Sequence, residues 1–381
     1  MITIRPGSHT MRLLHLLSIG GEFPPDSLSI LGSEEVLKKL IRKLVSVQNF
    51  RSDRDGKVYT TKLLMLSGKD DRRTIRLCKG SLPVLNEIHT DALGYYMDSF
   101  RTNKVSGNKL HKWRNHRVSE VIAMNMMAGI ETRPYILPKL QMNEILRIVP
   151  NTPSFYIARD FKKLDTNDYN KNMYTRIVGA LFYPGGVYAV YNTREAIMKW
   201  SGTGEFKAAI HLQDLSRMNA GVFDLTSALL FGNNPEIAKE TIIESDKSKK
   251  MEFRFDNIYQ HIHYIPMDQN GIRLMRILTL PDWKEKMLNA VFESKIRTPG
   301  YGFMEYDAFW NGLYIFSHLD SDIARLIRFH EAQQTESEKF KVLCYPWQEE
   351  FLKGYLSKNV ELEQIQMDSL EKALGLSPIK S

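Results

Sequence analysis

The chain has 381 residues, of which 43% are hydrophobic and 25% are charged, the usual composition of a globular protein. No apolar run approaches the roughly 20 residues that a membrane span needs, so a transmembrane protein is excluded, and we expect no signal peptide. The two cysteines, Cys78 and Cys344, are too few for a zinc site of their own and fit a reducing cytoplasm. The length favours at least two domains.

The net charge of +8 is distributed unevenly along the sequence. The first 120 residues contain 21 basic and 12 acidic side chains, whereas the rest of the chain contains 31 basic and 32 acidic ones. The whole positive excess therefore lies in the first third. This asymmetry indicates that the first third binds nucleic acid or another anionic partner.

Three short helices are predicted at the start of this basic part. Glycines follow residues 12–19 and 26–31, and Ser33 is a favoured residue before a third helix that reaches about Val45. Leucine and isoleucine recur in the third helix at i, i+3, i+4 and i+7, which predicts one buried face. Its other face carries four cations, namely Lys38, Lys39, Arg42 and Lys43.

A basic β-hairpin is predicted after the three helices. The apolar strand 63–66 and the return strand 74–77 flank a turn at residues 68–71. Two arginines precede this hairpin and three cations lie at or beside its tip: Arg51, Arg54, Lys69, Arg72 and Arg73. Three helices followed by a hairpin are typical of a winged helix-turn-helix, whose third helix enters the major groove while the hairpin contacts the DNA backbone.

The sequence therefore predicts a winged-helix domain over residues 1–105 that binds double-stranded DNA through the cations of its third helix and its hairpin. The alternative is a winged helix used for protein–protein contact or dimerisation, with the same charges facing solvent. The concentration of cations on the two elements that would face a groove favours DNA. A homodimer is predicted on general grounds, because two-fold proteins match two-fold DNA sites.

Residues 106–381 are predicted as a larger mixed α/β (or α+β) domain of uncertain role. A hairpin is expected over 177–191, a strand over 206–212 and a second hairpin around the turn at 268–271. No internal repeat is visible in the sequence. At the start of this domain, residues 109–117 mix cations with Trp113, a pattern that suits either nucleic-acid contact or a packed domain interface.

Two short patterns raise the alternative of a metal-dependent nuclease. Glu205-Phe206-Lys207 matches the carboxylate and lysine that nucleases of the restriction-endonuclease type place on a strand, although residues 176–191 contain no second acid. His261-Ile262-His263 would place two imidazoles on one face of a strand, the pattern of nickases that use a tyrosine nucleophile. Asp256 is a candidate for the further ligand, and Tyr174, Tyr259 and Tyr355 are equally suitable candidates for the nucleophile.

Motifs for several other enzyme classes are absent from the sequence. It contains no P-loop, no dinucleotide fingerprint, no Gly-x-Ser-x-Gly and no His-Glu-x-x-His, which disfavours ATPases, dinucleotide enzymes, serine hydrolases and zincins. No cofactor is predicted. A third class of function remains open, a regulator whose α/β domain binds a protein or small ligand and thereby gates the DNA-binding domain.

The order of elements resembles the replication-relaxation family of plasmid and integrative-element proteins. The resemblance lies in the winged helix from Leu13 to Leu77, the following helix with His111 and His116, and the hairpin from Arg176 to Tyr191. It implies a DNA-binding role in the replication, mobilisation or transcriptional control of a bacterial mobile element. No catalytic residue of that family can be matched in the C-terminal part of this sequence.

Overall fold

The computed structural model divides the chain into two compact units. The first unit comprises Met1–Ile145 and Ser154–Ile157, and the second comprises Leu146–Pro153 and Ala158–Ser381. The structure describes residues 2–51, 56–70, 73–100, 109–139, 151–162, 176–196, 203–217, 227–238, 240–241, 258–298, 305–335 and 338–379. Both units contain helices and strands, so the mixed α/β class is confirmed.

The first unit begins with the predicted succession of short helices. Its helices are α1 (His9–Gly20), α2 (Glu34–Val45), α3 (Leu82–Ile88), α4 (Thr90–Phe100) and α5 (Lys109–Ala128), with 3₁₀ segments at Pro25–Leu31 and Lys79–Ser81. Its strands are β1 (Ile2–Thr3), β2 (Glu22–Phe23), β3 (Gln48–Arg51), β4 (Val58–Thr61), β5 (Leu64–Ser67), β6 (Thr74–Leu77) and β7 (Ser154–Ile157).

Two small sheets accompany these helices. Strands β2, β6 and β5 form an antiparallel sheet in the order β2-β6-β5, in which β5 and β6 are the predicted hairpin. The second sheet, in the order β1-β3-β4, contains a hairpin between α2 and β5 that the sequence analysis did not predict. The chain therefore forms two successive hairpins after α2.

The first unit extends beyond residue 105, where the sequence placed the domain boundary. Helix α5 packs against α1, and the middle of α5 is buried from Ser119 to Asn125. Helix α1 is almost wholly buried, with Leu13, Leu14, Leu16 and Leu17 each 0% exposed, so it needs apolar partners on several sides. Because α5 supplies part of that cover, it belongs to the same unit as the predicted winged helix.

The second unit is built from helices and strands in alternation. Its helices are α6 (Ala158–Lys162), α7 (Thr203–Leu215), α8 (Gln269–Leu278), α9 (Trp283–Val291), α10 (Ile323–Thr335), α11 (Glu349–Tyr355) and α12 (Met367–Ala373), with a 3₁₀ turn at Pro346–Gln348. Its strands are β8 (Ile177–Tyr183), β9 (Gly186–Arg194), β10 (Ser227–Gly232), β11 (His261–Pro266), β12 (Ala308–Trp310), β13 (Leu313–Ser317), β14 (Lys339–Cys344) and β15 (Val360–Gln364).

The strands of the second unit pair in two groups with the same connectivity. Strands β8 and β9 form the predicted hairpin, and β9, β10 and β11 follow side by side in parallel. Strands β12 and β13 form another hairpin, and β13, β14 and β15 are again parallel neighbours. We call residues 177–278 the first module and residues 308–373 the second module.

Two strand predictions in the second unit are wrong. The residues from 206 to 212 lie in helix α7, and the turn at 268–271 begins helix α8. The Asp268 carboxylate accepts hydrogen bonds from the backbone N–H groups of Asn270 and Gly271, so it caps this helix. A side chain at position 271 would collide with the Pro266 carbonyl oxygen, which explains the glycine in the first turn.

Candidate functional site

The exposed face of helix α2 carries all four cations that the sequence assigned to it. Leu37, Ile41 and Leu44 are buried, whereas the cations occupy exposed positions: Lys38, Lys39, Arg42 and Lys43. Arginine and lysine in the last turn also suit the negative end of the helix dipole. Ser33 precedes the helix in extended backbone, although its hydroxyl makes no capping hydrogen bond.

One of these four cations has an acidic neighbour on the same helix. The Lys38 ammonium lies 2.5 Å from a Glu34 carboxylate oxygen, one turn earlier, and both side chains are about half exposed. Such i,i+4 pairs contribute only about 0.3–0.5 kcal/mol to helix stability, so Lys38 could exchange Glu34 for a DNA phosphate at little energetic cost. The face as a whole remains a compact, solvent-accessible set of positive charges.

The tip of the β5–β6 hairpin exposes further cations. Lys69 and Arg73 are both exposed, and the backbone N–H of Arg73 donates to the Asp70 carbonyl oxygen at 2.9 Å. Gly68 and Asp70 both have positive φ, which makes this turn tight. Arg51 is exposed at the end of β3. Arg54 and Arg72, the other two predicted contacts, lie outside the described residues.

A buried ion pair holds the hairpin in place within its sheet. The fully buried Glu22 carboxylate on β2 accepts hydrogen bonds from Arg76 Nε and Nη2 on β6, at 3.1 and 2.8 Å. Its other oxygen accepts from Asn115 Nδ2 of α5 at 3.0 Å. Charge-assisted hydrogen bonds of this kind are stronger than those between neutral groups. The sequence analysis missed Glu22, because no local pattern distinguishes it from a surface acid.

The basic stretch at 109–117 lies in helix α5 and is partly buried. The Lys109 ammonium lies 4.3 Å from the centre of the Trp113 ring, a cation–π contact. Lys112 is 7% exposed and His116 is 0% exposed. Buried side chains cannot contact a nucleic acid, so Lys112 and His116 serve packing, whereas residues 109–111 of the same stretch are exposed.

The Glu205-x-Lys207 pattern does not form a nuclease centre. It lies in helix α7, where Glu205 is buried and pairs with Arg176 Nη1 at 3.1 Å, whereas Lys207 is exposed. On a strand the two side chains would share one face, but two residues along a helix they point in different directions. The arrangement required for metal-assisted cleavage is therefore absent at these two residues.

The two histidines of the His-x-His pattern share one face of strand β11, as predicted. Their rings are stacked with centroids 6.3 Å apart. His261 Nδ1 lies 2.6 Å from an Asp322 carboxylate oxygen, and His263 Nδ1 lies 2.9 Å from the Asp320 carbonyl oxygen. Asp256, which the sequence offered as a further ligand, lies outside the described residues.

Both acids near the histidines come from the segment between β13 and α10, which the sequence analysis did not connect with them. Ligand atoms of His263, Asp320 and Asp322 lie within 4.8 Å of one another, close enough for one metal ion. The three residues are almost fully buried. Both oxygens of Asp322 and one oxygen of Asp320, however, already have hydrogen-bond partners, whereas the buried Asp320 Oδ2 accepts no hydrogen bond and lies 3.7 Å from Arg325 Nη1.

Asp322 acts as the cap of helix α10. One of its oxygens accepts from the backbone N–H groups of Ala324 and Arg325, and also from Ile262 on β11. Burial alone would raise the pKa of Asp322, but its hydrogen bond with His261 and the nearby His263 outweigh that effect and hold this pKa well below its usual range. The carboxylate is therefore saturated with donors.

Arg325 balances the remaining buried acids. Its guanidinium donates to Asp307 at 2.9 Å and Glu305 at 3.2 Å, and it lies 3.7 Å from Asp320. Burial alone would lower the pKa of Arg325, but these carboxylates raise it above its ordinary value. Because a guanidinium already occupies the position of a counter-cation, the cluster is best described as a buried ionic network that ties β11 to the start of α10.

Of the tyrosines named as nucleophiles, the two that the structure describes have side chains engaged elsewhere. Tyr259 is fully buried, its hydroxyl is hydrogen-bonded to Tyr191 at 2.8 Å, and burial raises its pKa. Tyr355 packs against His330, with ring centroids 4.6 Å apart. Tyr174 lies outside the described residues.

Comparison with known proteins provides no relative. No protein-family model, no curated protein and no solved structure matches the chain. Among the described residues, none of the helices is both long and apolar enough to cross a bilayer.

Proposed function

We propose that this protein binds double-stranded DNA through its first unit, with helix α2 in the major groove and the β5–β6 hairpin against the backbone. The observation that carries the proposal is the exposed cationic face of α2, formed by Lys38, Lys39, Arg42 and Lys43. The β5–β6 hairpin exposes Lys69 and Arg73 at its tip. Cations on these two elements are what groove and phosphate contacts require.

The connectivity of the first unit supports the proposal. Helix α1, strand β2, the 3₁₀ segment, helix α2 and the strands β5 and β6 follow one another, with sheet order β2-β6-β5. This is the layout that we expect of a winged helix, with the β3–β4 hairpin inserted after α2. The insertion adds exposed Arg51 to the cations that follow α2.

Electrostatics would dominate the affinity of such a surface. Each phosphate that a lysine or arginine neutralises releases a condensed counterion, so binding weakens steeply as salt rises. Base contacts, in contrast, would come from exposed side chains in the first turns of α2. As part of the same proposal, the protein binds the DNA of a bacterial mobile element and acts in the replication, mobilisation or transcriptional control of that element.

Selection of bound fragments from sheared host and element DNA, at low and at moderate salt, tests this proposal. We expect one sharp peak of sequence that survives moderate salt, which would establish a specific site. Uniform recovery that disappears with salt would reduce the proposal to phosphate contacts alone. No recovery at either salt concentration would contradict it and assign the first unit to protein contact.

A further inference from the structure

Because the two modules of the second unit share one connectivity, residues of the first module can be matched with residues of the second. Leu230 on β10 pairs with Tyr264 on β11, and Val342 on β14 pairs with Leu362 on β15, each two residues before its strand ends. After β10 and after β14 the chain enters a second helix, described at residues 236–238 and 240–241 in the first module and at α11 in the second. Each module therefore has a groove between its second helix and its last strand.

The groove of the first module is filled by the second module. Pro235, Ala238 and Tyr264 line one side of it. Side chains of the second module line the other side and leave a cavity of only about 10 Å³: His318, Ser321, Ile323, Trp347, Gln348 and Phe351. The backbone N–H of Tyr264 also donates to the Ser321 carbonyl oxygen at 2.9 Å, which covers the outer edge of β11.

The equivalent groove of the second module is open. It has a volume of about 390 Å³ and an apolar floor formed by Leu352, Leu356, Val360 and Leu362. No strand of the described residues pairs with the outer edge of β15. An open strand edge beside an apolar groove favours association with another chain.

The first module exposes apolar side chains on α7, the helix that corresponds to α10 of the second module. Helix α10, which packs against β11, begins with apolar residues that are buried, and Leu326 is 0% exposed. Phe206 is the fourth residue of α7, as Leu326 is of α10, but Phe206 is 44% exposed, and Ile210, one turn later, is 43% exposed. Large apolar side chains exposed in a row on a helix mark an interaction surface.

The charges around the two surfaces are complementary. The rim of the open groove carries the exposed Lys353 and Lys358 and the half-buried Glu349, whose carboxylate lies 2.9 Å from the Lys353 ammonium, so these three residues leave one net positive charge. The second helix of the first module exposes Glu236 and Glu240, one helical turn apart. Opposite charges on the rims of two matching surfaces favour the correct pairing over others.

We propose that a second copy of this chain docks head-to-tail on the open α11–β15 groove. The first module of the second copy would contact this groove in the way that, within one chain, the second module contacts the groove of the first module. Such an interface is heterologous, unlike the two-fold dimer that the sequence predicts, because the groove and the α7 surface are different patches of the same molecule. Each bound copy presents a new groove, so association continues beyond a dimer unless the chain of copies closes into a ring.

Complementing variants of the full chain test this interface by sedimentation. Leu362→Arg blocks the groove, and Phe206→Asp/Ile210→Asp disrupts the α7 surface. We expect the wild-type chain to associate as its concentration rises towards about 100 µM, a weak affinity on the usual scale, and each variant alone to be monomeric. Mixed together, the two variants still share one intact groove and one intact α7 surface, so they form a heterodimer that cannot grow.

Two further variants complete the design. Lys353→Glu/Lys358→Glu changes only exposed side chains and should weaken association severalfold, which keeps the test valid if Leu362→Arg does not fold. Phe309→Ser, at an equally exposed apolar residue on the opposite edge strand β12, should leave association unchanged. A wild-type chain that stays monomeric over this range, variants that still associate alone, or a mixture that stays monomeric would each overturn the proposal.

Discussion

The cationic surface of the first unit and the ionic network around Arg325 in the second unit use charge in opposite ways. In the first unit, the cations of α2 and of the hairpin tip are exposed, and among them only Lys38 forms an ion pair that the structure defines. In the second unit, Arg325, Asp307 and Asp320 are buried together, with the guanidinium 2.9 Å from Asp307 and 3.7 Å from Asp320. Exposed charge remains available to an external ligand, whereas buried charge has lost its water and must be compensated inside the protein. Substitutions on the cationic surface should therefore change binding, and those in the buried network should change stability.

The largest effect is expected when the buried network loses its central cation. Arg325→Leu leaves the carboxylates of Asp307 and Asp320 buried without a counter-charge, which should lower the free energy of unfolding by about 3–5 kcal/mol. Urea unfolding followed by tryptophan fluorescence measures this loss. DNA binding by the folded variant should equal that of the wild type, and a variant as stable as the wild type would show that the network is dispensable.

Acid should destabilise the second unit through His318. Burial lowers the pKa of this fully buried imidazole to about 4, whereas a histidine in the unfolded chain titrates near about 6.5. Between these values the unfolded chain takes up a proton that the folded chain does not, so stability falls as the pH falls, by about 1.4 kcal/mol per pH unit.

His318→Phe removes this proton uptake and should flatten the dependence of unfolding free energy on pH between about 6.5 and 4.5 by close to one proton. Burial likewise lowers the pKa of His15 in the first unit to about 4. His15 is unchanged in this variant, so its own proton uptake on unfolding should remain. An unchanged slope in the His318→Phe variant would contradict this assignment.

The hairpin tip should contribute to DNA binding without affecting stability. Lys69→Ala/Arg73→Ala removes two exposed cations, which should weaken duplex binding severalfold and lower the salt slope by about 2. Fluorescence anisotropy across several salt concentrations measures both quantities. The loss should be the same for different DNA sequences, and a loss confined to one sequence would indicate base contact instead.

The smallest effect is expected at the former nuclease pattern. Lys207 is exposed in α7, so Lys207→Ala should change the free energy of unfolding by less than about 0.5 kcal/mol. Glu205→Gln weakens a half-buried pair with Arg176 and should cost more. Incubation of supercoiled plasmid with Mg²⁺ or Mn²⁺ should show no nicking that depends on Lys207, and cleavage lost in Lys207→Ala would restore the nuclease hypothesis.

Sequence periodicity was a good guide where each element buries a single face. Helix α2 and the hairpins β5–β6 and β8–β9 were all predicted, because apolar residues recur at the helical period or alternate around glycine turns. The predictions failed at α7 and α8. In α8 a capping aspartate and a glycine in the first turn resemble a hairpin turn, and only the packing against Pro266 distinguishes the two.

The remaining features depend on contacts that are distant in the sequence. The buried pair of Glu22 with Arg76 and the approach of Asp322 to His261 join residues more than 50 positions apart. The repetition of the two modules lies in their connectivity, and no sequence pattern reveals it. The cationic surface of α2 was accessible to sequence analysis because amphipathicity alone determines which side of a helix faces solvent.

The central claim is that the exposed face of α2 binds duplex DNA, and Lys39→Glu/Arg42→Glu tests it most directly. Anisotropy titration at fixed salt should show at least about a tenfold loss of affinity and a shallower salt slope, since two phosphate contacts become repulsive. The matched control, Lys286→Glu/Lys372→Glu, makes the same charge change at exposed helix positions of the second unit and should bind nearly as the wild type does. Equal binding by the α2 variant and the control would contradict the claim.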